Sequence, residues 1–244
     1  MTRVFGEVAA LYDEIRPDYP AALTAALREY RGSPFRSIVD VGAGTGKGTA
    51  ALLDLGAQIA CVEPDLRMAT VLAARFPQAS VVNAAFEEWT PPPAGVDLVA
   101  CGTAWHWLDP ASRNRRAFDA LAPGGVLAVF HHRFGYTDPA VSKALDEVLQ
   151  AVDPRVAGRD AHFSFDDVRG SGLFEDVSER EWHSYPELST AEYLRLMQTF
   201  SPFLRHTAAQ QQATLTGLSE ALARFGDRLT MDIWTLLTLG RRPG

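Results

Sequence analysis

Ile38-Val39-Asp40-Val41-Gly42-Ala43-Gly44-Thr45-Gly46 decides how this chain folds. Four residues, three of them apolar and β-branched, read as a buried strand. Three glycines at alternate positions then read as a tight turn, because residues without Cβ take positive φ and let the backbone approach a ligand closely. Thr49 to Leu55 follows as a helix, stopped by Gly56. A phosphate loop needs Gly-x-x-x-x-Gly-Lys-Ser/Thr. Here Gly48 follows Lys47, and no glycine lies five positions before Gly46. A dinucleotide loop needs Gly-x-Gly-x-x-Gly. Lys47 occupies its third position in one register and Thr49 in the other. The spacing that remains is acid-x-Gly-x-Gly-x-Gly, beginning at Asp40.

The same rhythm extends outward. Ile59 to Val62 is a second strand, and Asp65 caps a helix running to Phe76 before Pro77. Ser80-Val81-Val82, Val96 to Cys101 and Val126 to Phe130 are further strands. Asp109-Pro110 opens the helix between the last two, and Pro123-Gly124-Gly125 turns into the fifth strand. Strands alternating with helices at this spacing make βαβ units and a parallel sheet. Glu63 ends the second strand seventeen residues after Gly46, where a carboxylate accepts hydrogen bonds from ribose hydroxyls. The first thirty residues read as helices broken at Pro17 and Pro20. A helix runs from Asp138 to about Val152, strands cover Val177–His183 and Ile233–Leu239, and Ser189 to Gly226 is helical. An insertion of that length is expected to be a functional cap.

Composition fits a soluble globular domain, with 47 % hydrophobic and 22 % charged residues in 244. A net charge of −7 argues against a nucleic-acid binder. The N-terminus carries Glu7 and no apolar run, so neither a signal peptide nor a membrane span is expected, and the cytoplasm is the expected location. There is no Gly-x-Ser-x-Gly elbow and no His/Cys spacing for a metal. His131 and His132 are adjacent on a strand and point to opposite faces, although one of them can line a pocket.

Asp40 to Gly46 resembles motif I of class I S-adenosylmethionine-dependent methyltransferases. Cys101-Gly102-Thr103-Ala104-Trp105-His106-Trp107-Leu108-Asp109-Pro110 is similar to the His-Trp element of their type 11/25 group, which includes trans-aconitate methyltransferase-like proteins. Tyr12 to Pro20, Val82 to Trp89 and Leu188 to Ser201 extend the likeness over nearly the whole chain. The resemblance implies a Rossmann-like, mostly parallel sheet of seven strands in the order 3-2-1-4-5-7-6, strand seven antiparallel, with helices on both faces and a helical cap. One domain, 1–244, is expected: N-terminal helices 1–34, a cofactor-binding core 35–152, and a C-terminal part with the cap insertion 189–226. That order puts Cys61 and Cys101 on either side of the Ile38 strand. At about 4.8 Å per strand they are too far apart to bridge.

S-adenosylmethionine is the cofactor the resemblance implies. Asp40, Gly42, Gly44, Thr45 and Gly46 would hold its amino-acid end, Glu63 and Pro64 its ribose, and Ala85 and Phe86 its adenine. Gly102 and Thr103 would lie near the methyl, and Tyr12 and Arg16 near the cofactor carboxylate. Many members carry Asp where this chain has Ala85. The implied pocket for a small-molecule acceptor takes in Trp105, His106, His132, Met197 and Phe200, with His106 as the candidate catalytic base. An NAD-dependent oxidoreductase and a non-catalytic cofactor-binding protein are the alternatives. The attacking atom, the acceptor and the oligomeric state are not legible.

Overall fold

A computed structural model describes residues 5–154 and 161–244; residues 1–4, where the reading of the N-terminus began, lie outside it. The elements in chain order are α1 (Ala9–Ile15), α2 (Ala21–Arg31), β1 (Ser37–Val41), α3 (Lys47–Leu53), β2 (Gln58–Val62), α4 (Leu66–Arg75) and β3 (Ser80–Val82). They continue with β4 (Val96–Gly102), α5 (Arg113–Ala120), β5 (Leu121–Tyr136), α6 (Pro139–Val152), α7 (Phe163–Gly170), β6 (Glu175–Ser184) and β7 (Glu187–Ser189). Last come α8 (Thr190–Met197), α9 (Ser201–Arg205), α10 (Ala208–Leu222) and β8 (Arg228–Arg241). The sheet runs β3-β2-β1-β4-β5-β8-β6, and β7 pairs with β8. This is the expected order once β7, a strand the sequence did not reveal, is set aside. β1, β2, β3, β4 and β5 pair in parallel.

Two compact units divide the chain, each assembled from three segments. Of the described residues, one holds 18–132, 161–182 and 235–244; the other holds 5–17, 133–154 and 183–234. In the first, strand alternation sorts the core into two layers. Ile38, Leu98, Ala128 and Phe130 pack with Leu27 of α2, Leu52 of α3 and Leu72 of α4. Val39, Val41, Val99, Leu127 and Val129 pack with Ala117 of α5 and Val168 of α7. Six residues of β4 are buried, as expected of a parallel strand covered on both faces. Cys61 lies in the first layer and Cys101 in the second, so the two free thiols are divided by the sheet itself. Burial, with the nearby Asp40 charge, pushes the Cys61 thiol up to about 12.

The second unit is a helical cluster. Leu218, Ala221 and Leu222 of α10 pack with Val141, Ala144 and Leu145 of α6, and with Tyr193 and Leu196 of α8. Capping boxes at Ser189–Glu192 and Thr207–Gln210 start α8 and α10. The hydroxyls of Tyr136 and Tyr193 meet at 2.6 Å.

Three local expectations change. The helix expected from Asp109-Pro110 begins at Arg113, because Asp109 caps a preceding turn by accepting from the Ser112 hydroxyl at 2.6 Å. β5 begins at Leu121 rather than Val126, and Pro123-Gly124-Gly125 is an irregular turn inside it: Gly124 takes φ +71°, and the register with β4 shifts between Leu121 and Val126. Gly124 donates its amide to the Arg242 carbonyl, and Gly125 accepts from the Arg242 amide. Helix α7 and strand β7 were not foreseen. Among the described residues, no helix is long and apolar enough to cross a membrane.

Candidate active site

At the carboxyl end of β1 the chain turns through Gly42, Gly44 and Gly46, whose φ angles are +65°, +59° and +94°. A Cβ on Gly42 would stand 2.4 Å from the Ala104 Cβ, and one on Gly46 would meet Phe76 and Leu72 at 2.5 and 2.6 Å. Only glycine therefore lets this turn pack against the β4 loop and α4. The amides of Gly42 and Ala43 donate to the Val62 carbonyl, which ties the turn to the end of β2.

Glu63 completes that tie. Its Oε2 accepts from the Gly44 amide at 2.9 Å and its Oε1 from the Asp65 amide at 2.8 Å. Its carbonyl takes the Asn83 side-chain amide at 2.8 Å, which links the ends of β2 and β3. Pro64 is half-buried beside it. Asp40 is 1 % exposed. Its Oδ2 accepts from the Thr49 hydroxyl at 2.6 Å. Burial pushes its carboxyl up to about 7, with the Thr49 hydrogen bond opposing the shift and the Glu63 charge adding to it. Asp40 Oδ1 and the Thr45 hydroxyl are buried and have no hydrogen-bond partner among the described residues.

The β3 and β4 loops supply the rest. Ala85 accepts from the amides of Glu88 and Trp89. Phe86 is buried, and its carbonyl accepts from the Arg116 guanidinium at 2.8 and 3.1 Å. Thr103, just past Gly102, takes φ +56°. Its amide donates to the Phe130 carbonyl at 2.7 Å. His106 is half-buried, its ring 4.8 Å from Trp107 and 6.3 Å from Phe163. His131 packs on the same Phe163 at 5.5 Å, whereas His132 stacks on Tyr19 at 4.4 Å. The two imidazoles thus meet different partners, as strand alternation requires. Trp105 is 1 % exposed, and its indole N–H donates to Asp167 at 2.8 Å, so it anchors the loop from within the core.

Tyr12, Arg16, Met197 and Phe200 belong to the other unit. There the Arg16 guanidinium donates to the Thr199 hydroxyl at 2.8 Å and carbonyl at 2.9 Å, and lies 4.0 Å over the Phe200 ring. Tyr12 faces the same guanidinium at 5.1 Å, and Met197 is partly buried against this unit's core. Tyr19, Phe163 and Asp167 were missed by sequence reasoning. Tyr19 lies inside the Tyr12–Pro20 stretch already singled out, but its partners are remote in sequence.

The sheet order and the glycine turn at β1 define the fold of the class I methyltransferases. Residues 39–129 match the methyltransferase domain family. An uncharacterized methyltransferase of Mycobacterium tuberculosis is 35 % identical over 129 residues, 53 % of this chain and 52 % of that protein. Trans-aconitate 2-methyltransferase of Afipia carboxidovorans is 32 % identical over 97 residues, 38 % of each. The matched stretch spans about half the length of the first of these curated relatives. A solved structure from Anaeromyxobacter dehalogenans, described as a type II methyltransferase, shares the fold with TM-score 0.75 and 23 % identity, covering 94 % of this chain and 99 % of that one. Haemonchus contortus phosphoethanolamine N-methyltransferase 2, solved with phosphomonomethylethanolamine and S-adenosylhomocysteine, shares it at TM-score 0.58 and 18 % identity, covering all of this chain and 58 % of that one.

S-adenosylmethionine is the cofactor of this class, and the residues present fit it. Asp40 Oδ1 and the Thr45 hydroxyl lack partners where an ammonium group and water can supply them. A Cβ on Gly44 would meet only the end of Met68, at 3.6 Å, so that side of the turn is open.

Proposed function

We propose that the protein transfers a methyl group from S-adenosylmethionine to a small-molecule acceptor. The observation that carries this is the joint built by Glu63, which holds the Gly44 and Asp65 amides on one carboxylate beside the buried Asp40. Asp40 and Thr45, with the turn from Gly42 to Gly46, would bind the amino-acid end of the cofactor, and Glu63 with Pro64 the ribose. Ala85 and Phe86 would border the adenine, and Gly102 and Thr103 the methyl. Tyr12 and Arg16 are carried as further cofactor residues. When bound, the cofactor supplies an electrophilic methyl on a sulfonium. The protein's own contribution is then to orient the acceptor and exclude water. His106 is the group proposed to receive an acceptor proton, with Trp105, His132, Met197 and Phe200 as acceptor-side candidates.

Calorimetry tests the reading. S-adenosylhomocysteine should bind at micromolar levels and NAD should not. A hydrogen bond to a charged acceptor is worth about 1.5–3 kcal/mol. Glu63→Ala should therefore weaken binding about ten- to hundredfold. Tight NAD binding without S-adenosylhomocysteine binding would falsify the assignment. Trans-aconitate, named for a relative, is the first acceptor to offer with methyl-labelled cofactor. Tight cofactor binding with no transfer across a panel of small carboxylates, alcohols and amines would favour a non-catalytic binder.

A further inference from the structure

Thr103 is one of two non-glycine residues with positive φ among those described. A β-branched residue seldom adopts that conformation, so something must hold it there. Its amide is fixed by the Phe130 carbonyl, and its hydroxyl lies 2.7 Å from the Tyr19 hydroxyl. Tyr19 reaches this point because residue 102 is glycine: a Cβ there would stand 2.8 Å from the Phe130 ring and 3.4 Å from the Tyr19 hydroxyl. The Tyr19 ring does two more things. Its ring meets Phe130 edge to face at 4.7 Å, and it stacks on His132 at 4.4 Å with 17° between the planes. His132 is also held at Nδ1, which lies 3.0 Å from the Thr235 hydroxyl.

We propose that Tyr19 is a positioning residue of the methyl-transfer site. Its hydroxyl keeps Thr103 in the left-handed conformation at the end of β4, and its face sets the plane of the His132 imidazole on β5. One side chain thus couples the turn proposed to border the methyl with a histidine proposed to face the acceptor. The inference rests on the cofactor reading above, since it assigns Thr103 to the cofactor's side of the site.

The test is a double-mutant cycle read by S-adenosylhomocysteine affinity, with the His132 imidazole followed by NMR titration. Tyr19→Phe removes the hydroxyl and keeps the ring. Losing one neutral hydrogen bond should weaken binding about two- to tenfold. Thr103→Gly takes positive φ without help, so Tyr19→Phe in that background should change affinity less than twofold. Tyr19→Phe should leave the His132 titration in place, and Tyr19→Leu, which removes the stacked ring, should displace it. Equal losses from Tyr19→Phe in both backgrounds, or no loss in either, overturn the coupling. An unchanged His132 titration in Tyr19→Leu overturns the second half. A wild-type protein that binds no S-adenosylhomocysteine refutes the cofactor reading itself. A wild type that binds, with an additive cycle, refutes only the role of Tyr19.

Discussion

At Asp40 the Thr49 hydroxyl takes one carboxyl oxygen, and no described group hydrogen-bonds the other. Burial raises the folded-state value to about 7, from an ordinary 3.8. A raised carboxyl means that the folded chain binds more protons than the unfolded chain between those values. The contribution of Asp40 to stability is therefore fully present below about pH 4 and is lost as pH rises through 7. Asp40→Asn removes this dependence while keeping the shape. In the absence of cofactor, its melting temperature relative to wild type should climb from pH 5 to pH 8, while S-adenosylhomocysteine affinity falls. A difference that stays flat over that range would mean Asp40 is ionised throughout. Asp40 and the glycines were legible because each role is local: a strand end, then positive φ at alternate positions. Tyr19 was not, because its partner Thr103 lies 84 positions away.

The β4 loop shows the same division between local and remote causes at the level of elements. Its His-Trp pattern drew attention to Trp105, and the structure adds a partner the pattern could not show: Asp167 of α7, 62 positions on, accepts from the indole N–H. Asp167 also accepts from Arg113 at 2.5 and 3.0 Å and from Asn114 at 2.8 Å. Burial opposes its ionisation, yet the hydrogen bonds from Arg113, Trp105 and Asn114 hold it below the usual carboxylate range. Helix α7 has eight residues and too little periodicity to announce itself; packing stabilises it, with Val168 fully buried. Arg113 is only 10 % exposed at its side chain, so removing its partner strands a buried charge. Asp167→Ala should cost about 3–5 kcal/mol in urea unfolding. Asp167→Asn, which keeps some hydrogen bonds, should cost less. A loss under about 1 kcal/mol for the alanine variant would show that water takes over the carboxylate's role.

The match to the methyltransferase domain covers residues 39–129, yet that stretch lacks parts of the core it belongs to. Its compact unit is completed by 161–182 and 235–244, so the chain leaves it and returns twice before ending there. Val168 and Phe174 belong to one core layer, Leu237 and Leu239 to the other. β5 is an interior strand next to β8, and Arg242 closes the backbone of Gly124 and Gly125. A fragment of residues 18–132 would leave β5 as a long apolar edge, expose Leu127 and Val129, and leave Arg113 without Asp167. An unpaired edge of that kind favours association over folding. The fragment should therefore lack near-ultraviolet dichroism, show poorly dispersed amide resonances and unfold without a sharp urea transition, in contrast to the full chain. Cooperative unfolding of the fragment with dispersed resonances would overturn this. Residues 18–132 would then be a free-standing folding unit, and the later segments would be additions to it rather than parts of its core.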